Sequence, residues 1–319
     1  MEPSAPALGV RIYRFLLIAT IIGVLIGGAL FARRNLRLGR GDRRGASTLA
    51  IFILATLLVE WVLKVHHVPD LGEMQSFIFR GLSFSVLISC LSWVFYLALE
   101  PYVRRLWPEV LISWVRLLDK RFRDPLVGRD VLFGLLAGLA FMLLGQAWPL
   151  ASRWLGLPIP ALDAPPFWME FENLSGLRFS LANLFELQAA SLFFSFVDIV
   201  SLLLLRAALR RQWLAVVGFI LLWSLLSSLS SANPYVSLIF LAVNVTLWLV
   251  VFLRLGLLPI LVAGFFNGLL ALYPMTLDFS SWYVANTFLV LLVAAALAAY
   301  GFRVSMAGRA VFRDAVFQD

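Results

Sequence analysis

The first group of residues that could carry chemistry in this chain lies within its long apolar stretches. Asp198 stands in the segment LFFSFVDIVSLLLLR, eight residues before Arg206 and hence about 12 Å from that end of a helix. Ser195 and Ser191 precede it by three and seven residues and share its helical face. Possible hydrogen-bond partners on later stretches are Asn244, Thr246 and Asn267. An acid in this setting predicts either a proton or cation site or a polar clamp between helices, and the clamp is favoured.

A second group could bind a metal ion or sense pH. It combines two histidines with four acids from two connecting segments: His66, His67, Asp70, Glu73, Glu170 and Glu172. Adjacent histidines on a helix point about 100° apart and rarely chelate one ion, so ordinary residues of the membrane interface are the favoured interpretation. The two later glutamates could bind a cationic ligand, although solvated loop acids are the commoner explanation. We predict no metal and no cofactor.

Familiar catalytic signatures do not occur in the sequence. It lacks H-E-x-x-H, the paired-glutamate motif of prenyl-protease-type enzymes, G-x-S-G, a Walker loop, and the H-R-D and D-F-G motifs of kinases. The string Gly39-Arg40-Gly41-Asp42 spells the G-x-G-D of aspartyl intramembrane proteases, but it lies in an arginine-rich loop and we interpret it as a coincidence. The single cysteine, Cys90, excludes a disulfide within the chain. The sequence therefore favours a protein that is not an enzyme.

The elements that must position these residues are membrane-spanning helices. The 319 residues are 62% hydrophobic and 14% charged, with a mean hydropathy of +0.92, whereas soluble domains contain about 25% charged residues. A helix needs roughly 20 apolar residues to cross a bilayer, and it satisfies its own backbone within hydrocarbon. We therefore predict an all-α, polytopic transmembrane helix bundle that forms a single integral membrane domain over residues 1–319.

Nine stretches are apolar for long enough to be spans. They lie near residues 12–32, 47–65, 76–99, 130–148, 185–206, 212–231, 235–253, 257–273 and 283–302. The stretch at 257–273 is the least secure, because it follows its predecessor after a very short link, and a re-entrant hairpin is the alternative. Two G-x-x-x-G pairs predict close contacts between helices: Gly23 with Gly27, and Gly134 with Gly138.

The distribution of basic residues predicts the orientation. In the nine-span scheme twenty of the 26 lysines and arginines fall on one side, most of them in segments 33–46 and 100–129. By the positive-inside rule that side is cytoplasmic, which places the N-terminus outside and the C-terminus in the cytoplasm. The net charge of +8 then reflects contact with the anionic lipid of the bilayer rather than nucleic-acid binding.

Two connecting segments are long enough to have a function. Residues 100–129, called the elbow below, carry apolar residues at helical spacing opposite a basic side, which predicts a cytoplasmic amphipathic helix at the interface. The elbow could couple the bundle to a partner, or it could be a passive connection. Periodicity alone favours the passive connection. Its candidate interaction residues are Arg104, Arg105, Arg116, Lys120, Arg121 and Arg123. The extracytoplasmic loop 149–184 is rich in proline and aromatic residues, which suits a cap on the outer interface.

Three strings of the sequence resemble a known family. They are FARRNLRLGRGDRRGA at 31–46, HHVPDLGE at 66–73, and ALEPYVRRLWPEVLISWVRLLDKRFRDPLVGRD at 98–130. They resemble the membrane region that follows the N-terminal kinase domain in bacterial receptor-type serine/threonine protein kinases of the acidobacterial type. This chain lacks such a kinase domain, and no catalytic role is attached to the strings. The resemblance implies a bacterial inner membrane and a cytoplasmic position for segments 33–46 and 100–129.

These observations support several functions. The favoured one is a sensor and signal-transduction module, in which a change at the outer loops shifts helix packing and the elbow reports it to a cytoplasmic partner such as a kinase. The alternative is a small-solute or lipid transporter with a polar path near Asp198, Asn244 and Asn267. A third, an enzyme that acts on lipid, requires the histidines and loop acids to converge at the outer face.

Overall fold

The computed structural model describes residues 8–65, 71–157, 171–229, 231 and 233–306. These residues form ten α-helices and no strand, so the predicted all-α bundle is confirmed. The helices are α1 Leu8–Arg37, α2 Arg43–Lys64, α3 Leu71–Leu106, α4 Ile112–Leu118, α5 Pro125–Trp154, α6 Leu177–Leu209, α7 Gln212–Leu229, α8 Pro234–Val250, α9 Leu257–Leu272 and α10 Val284–Ser305. Two 3-10 turns, Pro108–Leu111 and Phe171–Leu174, and a π-helical turn, Val251–Leu255, complete the described elements.

Eight of the described helices are long and apolar enough to cross a membrane. The ninth apolar helix, α9, has 16 residues, a length of about 24 Å. Large apolar side chains on the outside of the bundle, such as Phe15, Leu136 and Leu292, are 72%, 64% and 68% exposed. Such surfaces need lipid rather than water around them. The protein is therefore a multi-pass membrane protein.

Helix α9 runs from one end of the bundle to the other. Its first residue follows Gly256, where a Cβ would stand 3.0 Å from the carbonyl oxygen of Val110 in the elbow. Its last carbonyl, that of Leu272, accepts a hydrogen bond from the side chain of Asn173, just before α6. A single helix with these two ends crosses the bundle without the reversal of a re-entrant hairpin. We call the end at the elbow the basic end and the other the far end.

Glycines bring α9 against α5. A Cβ placed on Gly134 would stand 2.5 Å from the Cβ of Val262, and one on Gly138 would stand 2.8 Å from a carbonyl oxygen of α9. Neither position has room for a side chain, so the close contact between α5 and α9 depends on both glycines of this predicted pair. In the other predicted pair, Gly27 lies against a leucine side chain of α6, whereas Gly23 has nothing within 4 Å of its would-be Cβ.

The loop between α1 and α2 is built by local capping. Gly39 takes a φ of 65° and donates its N–H to the carbonyl of Leu36, which closes α1. Asp42 then accepts a hydrogen bond of 2.9 Å from the N–H of Gly45 and caps α2. The G-x-G-D string is therefore a helix–loop–helix connection at the basic end.

The elbow contains less helix than its periodicity predicted. Between α3 and α5 lie only a 3-10 turn and the seven residues of α4. Lys120 takes a left-handed φ of 62°, which ends this helical segment before Phe122. Leu111 and Trp114 of the apolar side are 3% and 4% exposed, whereas Phe122 is 52% exposed. The apolar side thus packs on the protein itself over most of its length.

Candidate functional site

Asp198 is half-buried on α6, and no hydrogen bond or ion pair reaches it from the described residues. Ser191, on the same face, donates a hydrogen bond of 2.7 Å to the carbonyl oxygen of Leu261 in α9. Ser195 is buried between them along the helix. The polar contact between α6 and α9 is therefore made by the serine, and Asp198 is available for another role.

Two residues of the predicted transport path, Asp198 and Asn267, lie at different depths, and the third, Asn244, is hydrogen-bonded to α5. Asn244 donates a hydrogen bond of 3.3 Å to a backbone carbonyl of α5. Gly264 of α9 faces Ser191 of α6, and this contact aligns two helices that run in opposite directions. Asp198 lies seven residues from Ser191 toward the basic end. Asn267 lies three residues from Gly264 toward the far end, so the two are separated by about 15 Å along the bundle.

The group of histidines and acids at the outer face falls largely outside the described residues. This holds for His66, His67, Asp70 and Glu170, and for the side chains of Glu73 and Glu172. The described part of the chain contains no group of three or more histidines, cysteines or acids that could hold a metal. Whether the group converges therefore stays a prediction.

The structure contains an ionic triad that the sequence analysis missed. The ammonium of Lys64 lies 3.0 Å from a carboxylate oxygen of Glu60 and 2.8 Å from one of Glu186. The side chains are 22%, 15% and 35% exposed, and they join α2 to α6 near the far end. Lys64 and Glu60 are neighbours along one helix, but Glu186 is 122 residues away, so the sequence contains no local sign of the pair.

A buried network of amides and hydroxyls closes the far end. The side chain of Asn173 donates to the Leu272 carbonyl at 3.0 Å, and the backbone carbonyl of Asn173 accepts from Asn286 at 2.8 Å. The hydroxyl of Ser180 donates to the amide oxygen of Asn286 at 2.6 Å, and the hydroxyl of Tyr273 donates to the Ser180 carbonyl at 2.6 Å. This far-end network joins the start of α6, the end of α9 and the start of α10.

Aromatic and backbone contacts attach the elbow to the bundle. The ring of Trp107 lies 5.9 Å from that of Phe252 and is covered by the guanidinium of Arg206 at 5.5 Å. Gly256 has a φ of 117°, and a Cβ there would stand 3.0 Å from the carbonyl oxygen of Val110. Only glycine fits this bend easily. The elbow is thus in direct contact with the turn that precedes α9.

An ion pair stabilises the turn at the end of the elbow. One guanidinium nitrogen of Arg116 lies 2.8 Å from both carboxylate oxygens of Asp124, which also accepts from the N–H of Leu126 at 3.0 Å. Slight burial opposes ionisation of Asp124, but these hydrogen bonds and the charges of Arg116 and Arg121 hold its pKa below the ordinary value. The charge of Arg116 is therefore paired with that of Asp124 within the elbow.

The other candidate interaction residues differ in their surroundings. Arg104 is 60% exposed and forms a 2.7 Å ion pair with Glu100, whose side chain is buried. The remaining members are exposed and carry no ion pair within the described part of the chain: Arg105, Lys120, Arg121 and Arg123. They form a basic rim on the elbow.

Neither family models nor curated proteins nor solved structures match the chain. The features that bear on its function are therefore those of its own structure. They are the ionic triad, the far-end network, the contacts of α9 at both ends, and the basic rim of the elbow.

Proposed function

We propose that the protein is a membrane-embedded sensor and signal-transduction module without catalytic activity of its own. A change at the far end shifts α9, and the elbow presents that shift to a cytoplasmic partner. The observation that best supports this proposal is the course of α9. Its last residues belong to the far-end network, and its first residue follows the Gly256 bend against the elbow.

The packing of α9 favours transmission of a shift along the whole helix over a change confined to its far end. Leu257, Ile260, Ala263 and Leu269 along its length are at most 1% exposed. Its contact with α5 has no spare space at Gly134. Closely packed interiors have low compressibility, so a displacement of one end of a short helix is transmitted to its other end. Signalling requires two packing states of similar free energy, which a ligand or the state of the membrane selects.

The basic rim suits an acidic partner surface. Exposed arginines and lysines steer association with negatively charged proteins, and their effect depends on salt. The resemblance of segments 31–46, 66–73 and 98–130 to the membrane region of bacterial receptor serine/threonine kinases makes a kinase the partner class that we propose. The excess of basic residues at this end supports a cytoplasmic position in a bacterial inner membrane.

Hydrogen exchange tests the coupling. Asn173→Ala removes the amide that ties the end of α9 to the start of α6, so we expect faster exchange in residues 108–118 of the elbow as well as locally. Ser280→Ala is the control, because its hydroxyl donates to Asp278 within the exposed loop before α10. Exchange in the elbow that is the same in wild type and Asn173→Ala would contradict the coupling.

Recovery of partners from native membranes tests the output. The test variant replaces four elbow residues by alanine: Arg104, Arg105, Arg121 and Arg123. The control variant removes the same number of charges from the last turns of α1 and the first residue of α2, at the same end of the bundle: Arg33, Arg34, Arg37 and Arg43. We expect the test variant alone to lose a specific cytoplasmic protein. Unchanged recovery, or equal loss from both variants, would count against a partner at the elbow.

A second candidate function, transport of a small solute or lipid, is supported by Asp198. A half-buried carboxyl without a protein partner among the described residues is a default candidate for a proton or cation site within a membrane. Proton flux into proteoliposomes, followed with a pH-sensitive dye, tests it. Flux that Asp198→Asn abolishes would favour transport over signalling, whereas equal and negligible flux in both proteins supports the signalling module.

A further inference from the structure

A groove at the basic end lies between the elbow and the last turns of α10. It has a volume of 460 Å³, and Ala296 and Ala299 of α10 line it. Arg123 of the elbow and Arg303, near the C-terminal end of α10, line it at the basic end. A second hollow of 370 Å³ around residues 120–124 shares Phe122 and Arg123 with it.

The groove has a defined shape because a hydrogen bond spans it. The hydroxyl of Tyr300 donates to the backbone carbonyl of Phe122 at 2.6 Å. This bond fixes the elbow turn against α10. The alanines leave space that larger side chains would fill, and the two arginines stand at the rim of that space.

The apolar part of the groove faces lipid. Leu292, Ala296, Ala299 and Arg303 follow one another at spacings of four, three and four residues, so they form one stripe of α10. Leu292 is 68% exposed, and it therefore marks this stripe as a surface against acyl chains. The distance from Ala296 to Arg303 along the helix is about 10 Å, enough for the upper part of one acyl chain.

The charge at the rim is net positive. Arg123 and Arg303 are exposed and form no ion pair within the described ranges. Asp124, which lines the adjoining hollow together with Arg123, is already engaged by Arg116. Basic pockets between transmembrane helices select anionic lipid headgroups, since each nearby arginine adds attraction for the phosphate.

We infer that this groove binds one anionic phospholipid, with its phosphate at Arg123 and Arg303 and one acyl chain along Ala299 and Ala296. The occupant is a lipid because the groove opens along a lipid-facing stripe, and it is anionic because the rim holds two arginines with no ion-pair partner among those of residues 8–306 that the structure describes. The site does not depend on the proposed signalling function. It would connect the position of the elbow to the lipid composition of the adjacent leaflet.

Lipid binding by the purified full chain tests the inference. Native mass spectrometry would compare dioleoyl phosphatidylglycerol with dioleoyl phosphatidylcholine, which has the same acyl chains. We expect Arg123→Gln combined with Arg303→Gln to weaken phosphatidylglycerol binding by roughly 10- to 30-fold. The matched control, Arg33→Gln combined with Arg37→Gln, removes two exposed arginines of α1 at the same end and should leave the retained lipid in place.

A second pair of variants tests the acyl-chain part of the groove. Ala299→Phe fills the space without changing charge and should also reduce phosphatidylglycerol binding. Ala295→Phe adds the same ring at an exposed position that does not line the groove, and it should have no effect. Equal binding of the two phospholipids to wild type, equal losses from both arginine pairs, or displacement of the lipid by inorganic phosphate alone would overturn the proposal.

Discussion

The side-chain amide of Asn35 donates a hydrogen bond to the carbonyl oxygen of Leu97 at 2.8 Å and a longer one to that of Ala98 at 3.2 Å. Pro101 lies inside α3 four residues after Leu97 and has no N–H to donate to that carbonyl. Asn35 is 2% exposed and supplies the missing donor from α1. One side chain thus repairs the break in α3 and holds two helices together at the basic end.

Substitution of Asn35 by alanine should lower the free energy of unfolding by about 1–3 kcal/mol, because it leaves a buried carbonyl without a donor. In a Pro101→Ala background the new N–H can reach Leu97, so the same substitution should cost less. Thermal unfolding of the four proteins in one detergent gives the coupling energy between the two sites. Equal losses in both backgrounds would show that Asn35 acts in another way.

The extent of α1 shows what could be predicted from the sequence and what could not. Its apolar run predicted a span near 12–32, because lipid requires that pattern. The helix continues to Arg37, since arginine is a good helix former and a basic last turn is stabilised by the helix dipole. Hydropathy contains no information on such polar extensions. It also cannot show that Asn35, in an arginine-rich string, is buried.

The sites divide in the same way. Asp198 was visible because an acid is rare in an apolar run, and rarity is a property of the sequence alone. The ionic triad and the far-end network could not be predicted from the sequence, because their members come from different helices. Their pairing depends on the register between α2 and α6 and between α6 and α9, which packing sets. The elbow helix ended early because Lys120 adopts a left-handed conformation that periodicity does not reveal.

Gly138 of α5 should be far less tolerant of substitution than Gly23 of α1. Gly138→Ala places a methyl 2.8 Å from a carbonyl oxygen of α9, and overpacking of this kind costs about 1–3 kcal/mol. Gly23→Ala meets nothing within 4 Å and should be neutral or stabilising by up to about 1 kcal/mol, from helix propensity. Unfolding midpoints of the two variants measure the difference. Similar midpoints would mean that α5 and α9 are not in close contact.

Loss of Lys64 alone from the ionic triad should destabilise the protein more than loss of Lys64 together with Glu186. Lys64→Met leaves two carboxylates beside one another in a partly buried site and should destabilise the protein by about 1–3 kcal/mol. Lys64→Met combined with Glu186→Leu should recover much of that loss, because an apolar pair carries no desolvation penalty. A double variant that is no more stable than the single one would contradict this account.

Acid should weaken the turn at the end of the elbow. The pKa of Asp124 is lowered in the folded protein, so its contribution is complete above its ordinary pKa of about 4 and is lost as the pH falls through the folded value. Asp124→Asn keeps a capping side chain but removes the ion pair with Arg116, at a cost of about 0.5–1 kcal/mol for a partly exposed pair. Unfolding midpoints of the two proteins should differ at neutral pH and converge in acid. A constant difference at all pH values would exclude the ion pair as its cause.

The orientation of the bundle can be measured from the two ends that α9 connects. Cys90 is the only cysteine, so Cys90→Ser provides a background in which a single new thiol reports its side of the membrane. Leu277, in the loop after α9, is 89% exposed, and Arg40, in the loop after α1, is exposed at the basic end. If the basic end is cytoplasmic, a membrane-impermeant maleimide should label Leu277→Cys in intact cells. It should label Arg40→Cys only after permeabilisation, because a loop rich in arginine is not translocated across the membrane and stays in the cytoplasm. The reverse pattern would place the elbow and its basic rim outside the cell and remove the cytoplasmic partner from the proposal.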